Sequence, residues 1–96
     1  MTPWDELIAT LDRYAAASEP IPAEAEAVLQ PLVEASMLDR SVDRELHAPD
    51  VARWLVGLAL AHRGLRERDA AVDPARDAAD LRLIATRWLH PSRPRS

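Results

Sequence analysis

The sequence predicts an all-α fold, a compact single-domain bundle of about five helices, and three features predict it. Its 46 apolar residues include 18 Ala and 13 Leu against six Val and three Ile; Ala and Leu favour helices, whereas strands favour β-branched and aromatic side chains. Glycine occurs only twice, too rarely for the tight turns of an all-β chain. Apolar residues recur at i, i+3, i+4 and i+7 over most of the chain, the spacing of one helix face. With 96 residues there is room for one domain, read as residues 1–90 followed by a flexible Pro/Arg tail at 91–96.

The first helix is expected from Pro3 to about Ala17. Thr2 suits the N-cap, Pro3 the first helical position, and Asp5 and Glu6 the positive end of the helix dipole. Trp4, Leu7, Ile8, Leu11 and Ala15 form its inner face. Pro20 and Pro22 end it. The second helix is expected from about Pro22 to Met37, with Val28, Leu29, Leu32, Val33 and Ser36 inward; Pro31 inside it predicts a kink or a split into two short helices. A short third helix, about Val42 to Ala48, is capped by Ser41 and stops before Pro49.

The fourth helix, about Asp50 to Arg63, differs in kind. Val51, Ala52, Trp54, Leu55, Val56, Leu58, Ala59, Leu60 and Ala61 surround its axis, and a helix apolar all round is buried on most sides. It is therefore placed at the centre of the bundle, enclosed by the others, with Trp54 in the core. Gly64 followed by Leu65 fits a Schellman stop; the rival is a helix that runs on, since Leu65 lies one heptad beyond Leu58. The fifth helix opens with Asp73 as N-cap and Pro74 at its first position. It ends at Leu89, with Ala78, Leu81, Ile84 or Ala85, and Trp88 facing inward.

Little in this pattern carries chemistry. Cysteine, lysine, asparagine and phenylalanine are absent, the last three as expected of codon usage in a GC-rich bacterial genome. A thiolate nucleophile, a lysine Schiff base and a lysine phosphate clamp are thereby excluded. His47, His62 and His90 stand alone, without the Glu-x-x-His pairs of a di-iron bundle. Asp73, Asp77 and Asp80 gather where a helix dipole favours acids, which explains them better than a cation does. The five serines avoid any strand-to-helix elbow and both glycines are isolated, so neither a nucleophile nor a phosphate loop is read. No catalytic residue, metal ligand or cofactor site is assigned, and the chain is expected not to be an enzyme.

Charge is unevenly spread. Residues 1–50 carry three arginines against 11 acids, a balance of −8, and residues 51–96 nine arginines against five acids, +4. No targeting leader is read in MTPWDEL, and the longest apolar run, Val51–Ala61, is 11 residues and holds Arg53, far short of a membrane span. A cytoplasmic location without membrane contact is expected. One alternative is a DNA-binding regulator with a degenerate helix-turn-helix at about 41–63. It is opposed by the net charge of −4 and by a second helix offering mostly Val, Trp and Leu. The favoured expectation is a small regulatory or accessory subunit that works through a protein partner or a second copy of itself. Interface anchors are typically Trp, Tyr and Arg. The expected contact surface is the last helix with the tail, Arg82, Arg87, Trp88, Arg93 and Arg95, together with Trp4 at the other end of the chain.

Overall fold

In the computed structural model, which describes residues 1–91, the chain forms four helices and, among those residues, no strand. They are α1 (Pro3–Ala16), α2 (Ala25–Leu38), α3 (Ala48–Arg68) and α4 (Pro74–Leu89). The all-α class holds; the count is four rather than about five. Residues 92–96, including Arg93 and Arg95 of the expected tail, lie outside the described residues.

α1 starts with a capping box. The Asp5 N–H donates to the Thr2 hydroxyl at 3.1 Å and the Thr2 N–H donates to the Asp5 carboxylate at 3.2 Å, satisfying two backbone donors reciprocally. Leu7, Thr10, Leu11 and Ala15 are buried, and the Thr10 hydroxyl donates to the Glu6 carbonyl at 2.7 Å. The far end of α1 is closed from outside. Arg63 of α3 donates from Nε to the Tyr14 carbonyl at 2.7 Å and from Nη1 to the Glu19 carbonyl. One turn on, Arg66 donates to the carbonyls of Ala15 and Ala16 at 3.3 and 3.1 Å. The Tyr14, Ala15 and Ala16 carbonyls are among those that a helix end leaves without partners, and cations there also answer the dipole.

α2 begins at Ala25 rather than Pro22 and passes Pro31 unbroken. Pro31 lies on the solvent side, and Ala27, whose carbonyl loses its partner to the proline, is also exposed, so the missing bond falls where solvent reaches. The short helix expected at 42–48 is absent. Arg40 takes the left-handed conformation (φ 70°) and turns the chain. The Asp43 carboxylate then accepts from the Glu45 N–H at 2.9 Å, a local turn that competes with helix. The same segment is tied elsewhere: the Val42 N–H donates to the Ser36 carbonyl at 3.0 Å and the Asp43 N–H to the Leu89 carbonyl at 2.7 Å. Val42 is fully buried. Without that helix, the outline expected for a helix-turn-helix at 41–63 is not formed.

α3 runs through Gly64, as the rival reading had it, to Arg68. Gly64 is not left-handed, so no Schellman stop forms, and the extra turn carries Arg66 to the end of α1. α3 touches all three other helices, as α1 does; α2 and α4 do not pack on each other. Leu7, Leu11, Leu29, Val33, Val51, Leu55, Leu81 and Leu89 come together from all four helices in one core.

The enclosure expected of α3 is incomplete. Val51, Ala52, Leu55 and Ala59 are buried, but Trp54 is 58% exposed and Leu60 and Leu65 are also open to solvent. Three neighbours do not reach round the fourth side. α4 is correspondingly rotated from its expected face: its cap is the expected Asp73, which accepts from the Ala75 N–H at 3.0 Å, yet Leu81, Ala85 and Leu89 point inward while Ile84 and Trp88 are exposed. Among the described residues, no helix is long and apolar enough to cross a membrane.

Two outcomes check this architecture. Leu55→Ala is expected to lower unfolding free energy by about 3 kcal/mol, while Trp54→Ala, one residue away, costs under about 1 kcal/mol; urea denaturation of both variants measures the contrast. The second concerns Asp5, whose carboxyl is held below its ordinary value of 3.8 by hydrogen bonds from the Thr2 backbone and then the Thr2 hydroxyl. A lowered folded-state pKa stabilises fully above the unfolded value and loses that contribution as pH falls through the folded one. Wild type is therefore expected to exceed Asp5→Asn in melting temperature at pH 7, with the gap closing below about pH 3.

Candidate functional site

The side of α3 left uncovered is built by a heptad-like stripe. Trp54, Leu58, Ala61 and Leu65 follow one another at steps of four, three and four residues, which keeps them on one face of a helix. On α4, Asp77, Leu81, Ile84 and Trp88 do the same. The connector at 69–73 folds α4 back along α3, so the stripes line a shared groove, with Trp54 beside Trp88 at one end and Leu65 beside Asp77 at the other.

The groove has two parts. At the tryptophan end, Trp54, Leu58, Ile84 and Trp88 bound a hollow of about 310 Å³. At the opposite end, Leu58, Leu65 and Ile84 with the carboxylates of Asp77 and Asp80 bound a second of about 220 Å³. Leu58 and Ile84 belong to both, so the hollows adjoin. Leu65 and Ile84 are 57% and 54% exposed, and aromatic and aliphatic side chains left this open are normally covered when they form a contiguous patch.

His62 lines the second hollow. It is only 6% exposed, and neither ring nitrogen has a hydrogen-bond partner. Buried polar atoms are almost always paired; both nitrogens of this imidazole are shielded from solvent and unpaired, a polar cost carried in the groove wall. Among the described residues, no three His, Cys, Asp or Glu side chains come together as a metal set.

The residues expected to form a contact surface fall in different places. Trp88 sits on the groove and Arg87 is exposed beside it. Arg82 faces the other way, with Nε 3.8 Å from the Asp12 carboxylate of α1. Trp4 meets the ring of His90 rather than Trp88, with centroids 4.7 Å apart. His90 Nδ1 lies 2.6 Å from the Ser41 carbonyl, and because a carbonyl only accepts, Nδ1 must carry the proton in that bond. Trp4 and His90 thus clasp the chain ends to the 39–47 loop. Sequence reasoning placed Trp54 in the core, whereas it is exposed, and left Ile84 or Ala85 as the inner residue, of which Ala85 is buried and Ile84 open; the heptad-like spacing of Trp54, Leu58 and Leu65 was the available signal for the stripe.

The chain matches no protein-family model, no curated protein and no solved structure. The groove stands on its own geometry. Replacing His62 by Leu removes two unpaired polar atoms at nearly constant volume. It is expected to leave stability unchanged or raise it by up to about 1 kcal/mol, read as an unchanged or higher urea midpoint.

Proposed function

We propose that this chain is a non-enzymatic protein-interaction module, an accessory or regulatory subunit whose working surface is the α3/α4 groove. The observation that carries the reading is the continuous apolar hollow between Trp54, Leu58, Ile84 and Trp88. Interface centres are apolar, rich in tryptophan and ringed by polar groups, and here Arg53, Asp80 and Arg87 lie exposed around that apolar floor. The groove is shallow and long rather than deep. It suits a helix laid along it, read out by side chains spaced at i, i+4 and i+7, better than an enclosed small molecule. This reading moves the expected surface from the last helix and tail to the seam between the last two helices, and it retains Trp88 and Arg87. A cytoplasmic setting is part of the same proposal.

The test uses the wild-type chain and Ile84→Asp, immobilised at equal density and exposed to lysate of the source cell. Ile84 is exposed, so the aspartate variant is expected to fold, with an unchanged helical circular dichroism spectrum. Binding to wild type that falls at least tenfold in Ile84→Asp supports the reading. Equal retention by both, or by neither, rejects it.

A further inference from the structure

Resting on that reading of the groove, we infer that its occupant is an amphipathic helix of a different protein, basic where it crosses Asp77 and Asp80. Charge complementarity selects this occupant. Of the side chains lining the two hollows, the charged ones are the carboxylates of Asp77 and Asp80. Arg53, Arg68, Arg76 and Arg87 line neither hollow. The groove is therefore an apolar floor with negative charge gathered at one end.

The chain itself leaves those two carboxylates unanswered. Among the described residues the ion pairs are Arg53–Asp50 and Arg82–Asp12, so no guanidinium lies within 4 Å of Asp77 or Asp80. His62 shares their hollow at 6% exposure, but neither of its ring nitrogens has a hydrogen-bond partner, so it donates to neither acid. Local structure accounts for only one of the pair. Asp77 lies in the first turn of α4, where the helix dipole favours an acid. Asp80 lies beyond that turn, out of the dipole's reach, and three residues from Asp77 it places a like charge on a neighbouring position. The pair destabilises the isolated chain, and a cation laid across it removes the repulsion.

The apolar walls fix the rest of the occupant. From Trp54 to Leu65 on α3, and from Asp77 to Trp88 on α4, each wall advances eleven residues, about 16 Å of helix. An occupant helix covers the same distance from position i to i+11, about three turns. Its apolar side chains at i, i+4 and i+7 share one face and cover the floor from the tryptophans to Leu58 and Ile84. Its basic side chains then fall at i+8 and i+11, over the acidic end. An acidic helix meets repulsion there, and a second copy docked by the same face adds only carboxylates to the lining.

The experiment measures binding of two synthetic helical peptides to the full-length chain by fluorescence anisotropy. Both peptides carry leucine at i, i+4 and i+7; one has lysine at i+8 and i+11, the other glutamate. Four proteins are compared, each checked for helical content: wild type, Asp77→Asn with Asp80→Asn, Glu24→Gln with Glu26→Gln, and Ile84→Gln. The glutamine pair removes the same charge from exposed positions at the start of α2. It thus separates a contact in the groove from the general attraction of a chain with net charge −4. Wild type and the glutamine pair are expected to bind the lysine peptide at least about tenfold more tightly than the glutamate peptide. The asparagine pair is expected to bring that ratio within about threefold, and Ile84→Gln to weaken the lysine peptide at least about fivefold.

No binding of the lysine peptide at about 0.5 mM, a ratio unchanged in the asparagine pair, or an equal loss in the glutamine pair overturns the inference. So does a dimer, seen by light scattering, that Ile84→Gln dissolves, because the occupant is then a second copy. If Ile84→Gln weakens the lysine peptide while the asparagine pair leaves the ratio unchanged, the groove docks a helix and only its basic character is wrong. If neither peptide binds while capture still depends on Ile84, the groove is used but not by a basic helix. If Ile84→Gln changes nothing, the peptide sits elsewhere and the reading of the groove fails as well.

Discussion

α3 is apolar over more of its circumference than three neighbouring helices can cover, and the rest of the molecule is arranged around that mismatch. Val51, Leu55 and Ala59 are buried in one core with residues of α1 and α2, and Leu81, Ala85 and Leu89 of α4 join it. What remains open is Trp54, Leu60 and Leu65, with Leu58 half-buried. Had residues 42–48 formed a helix, one more element would have been available to cover them. Instead the segment is a turn whose backbone is tied to α2 and to the end of α4. The open face is therefore a result of topology, and apolar area of this kind contributes stabilisation only when something excludes water from it.

The other organising contact is polar. Arg63 and Arg66 reach from α3 to the carbonyls at the end of α1. A guanidinium presents five donors in a planar fork and keeps its charge while partly buried. An ammonium, with three donors at one point, would not span carbonyls on successive residues. The chain has no lysine, and at these two positions the arginine is used for its geometry. The contact also fixes the length of α3: the helix must continue past Gly64 for Arg66 to arrive, which outweighs the weak local preference of a glycine for ending it.

Local signals carried much of this fold. Thr2 and Asp73 mark helix starts through bonds confined to one turn, and composition alone excluded strands. The inner faces of α1 and α2 followed from spacing, apart from Val28, which is exposed. The failures were non-local. Whether Pro31 breaks α2 depends on which side of the helix meets solvent, and whether 42–48 is helical depends on bonds to Ser36 and Leu89. Which apolar side chains of α3 and α4 are covered depends on how many helices are present to cover them. The candidate site lay in this last category. Its residues were all noticed, but a stripe that is open and one that is enclosed read identically in one dimension.

The clasp between Trp4 and His90 has a topological consequence. Residues at the two ends of the helical framework are in ring-to-ring contact, so a linker of a few residues joins them without crossing the bundle. The order in which the four helices follow one another is then not essential to their packing. A circularly permuted chain, opened in the connector at 69–73, would begin at α4 and end at α3 while keeping the same core. The covalent path is one of several that this set of contacts permits.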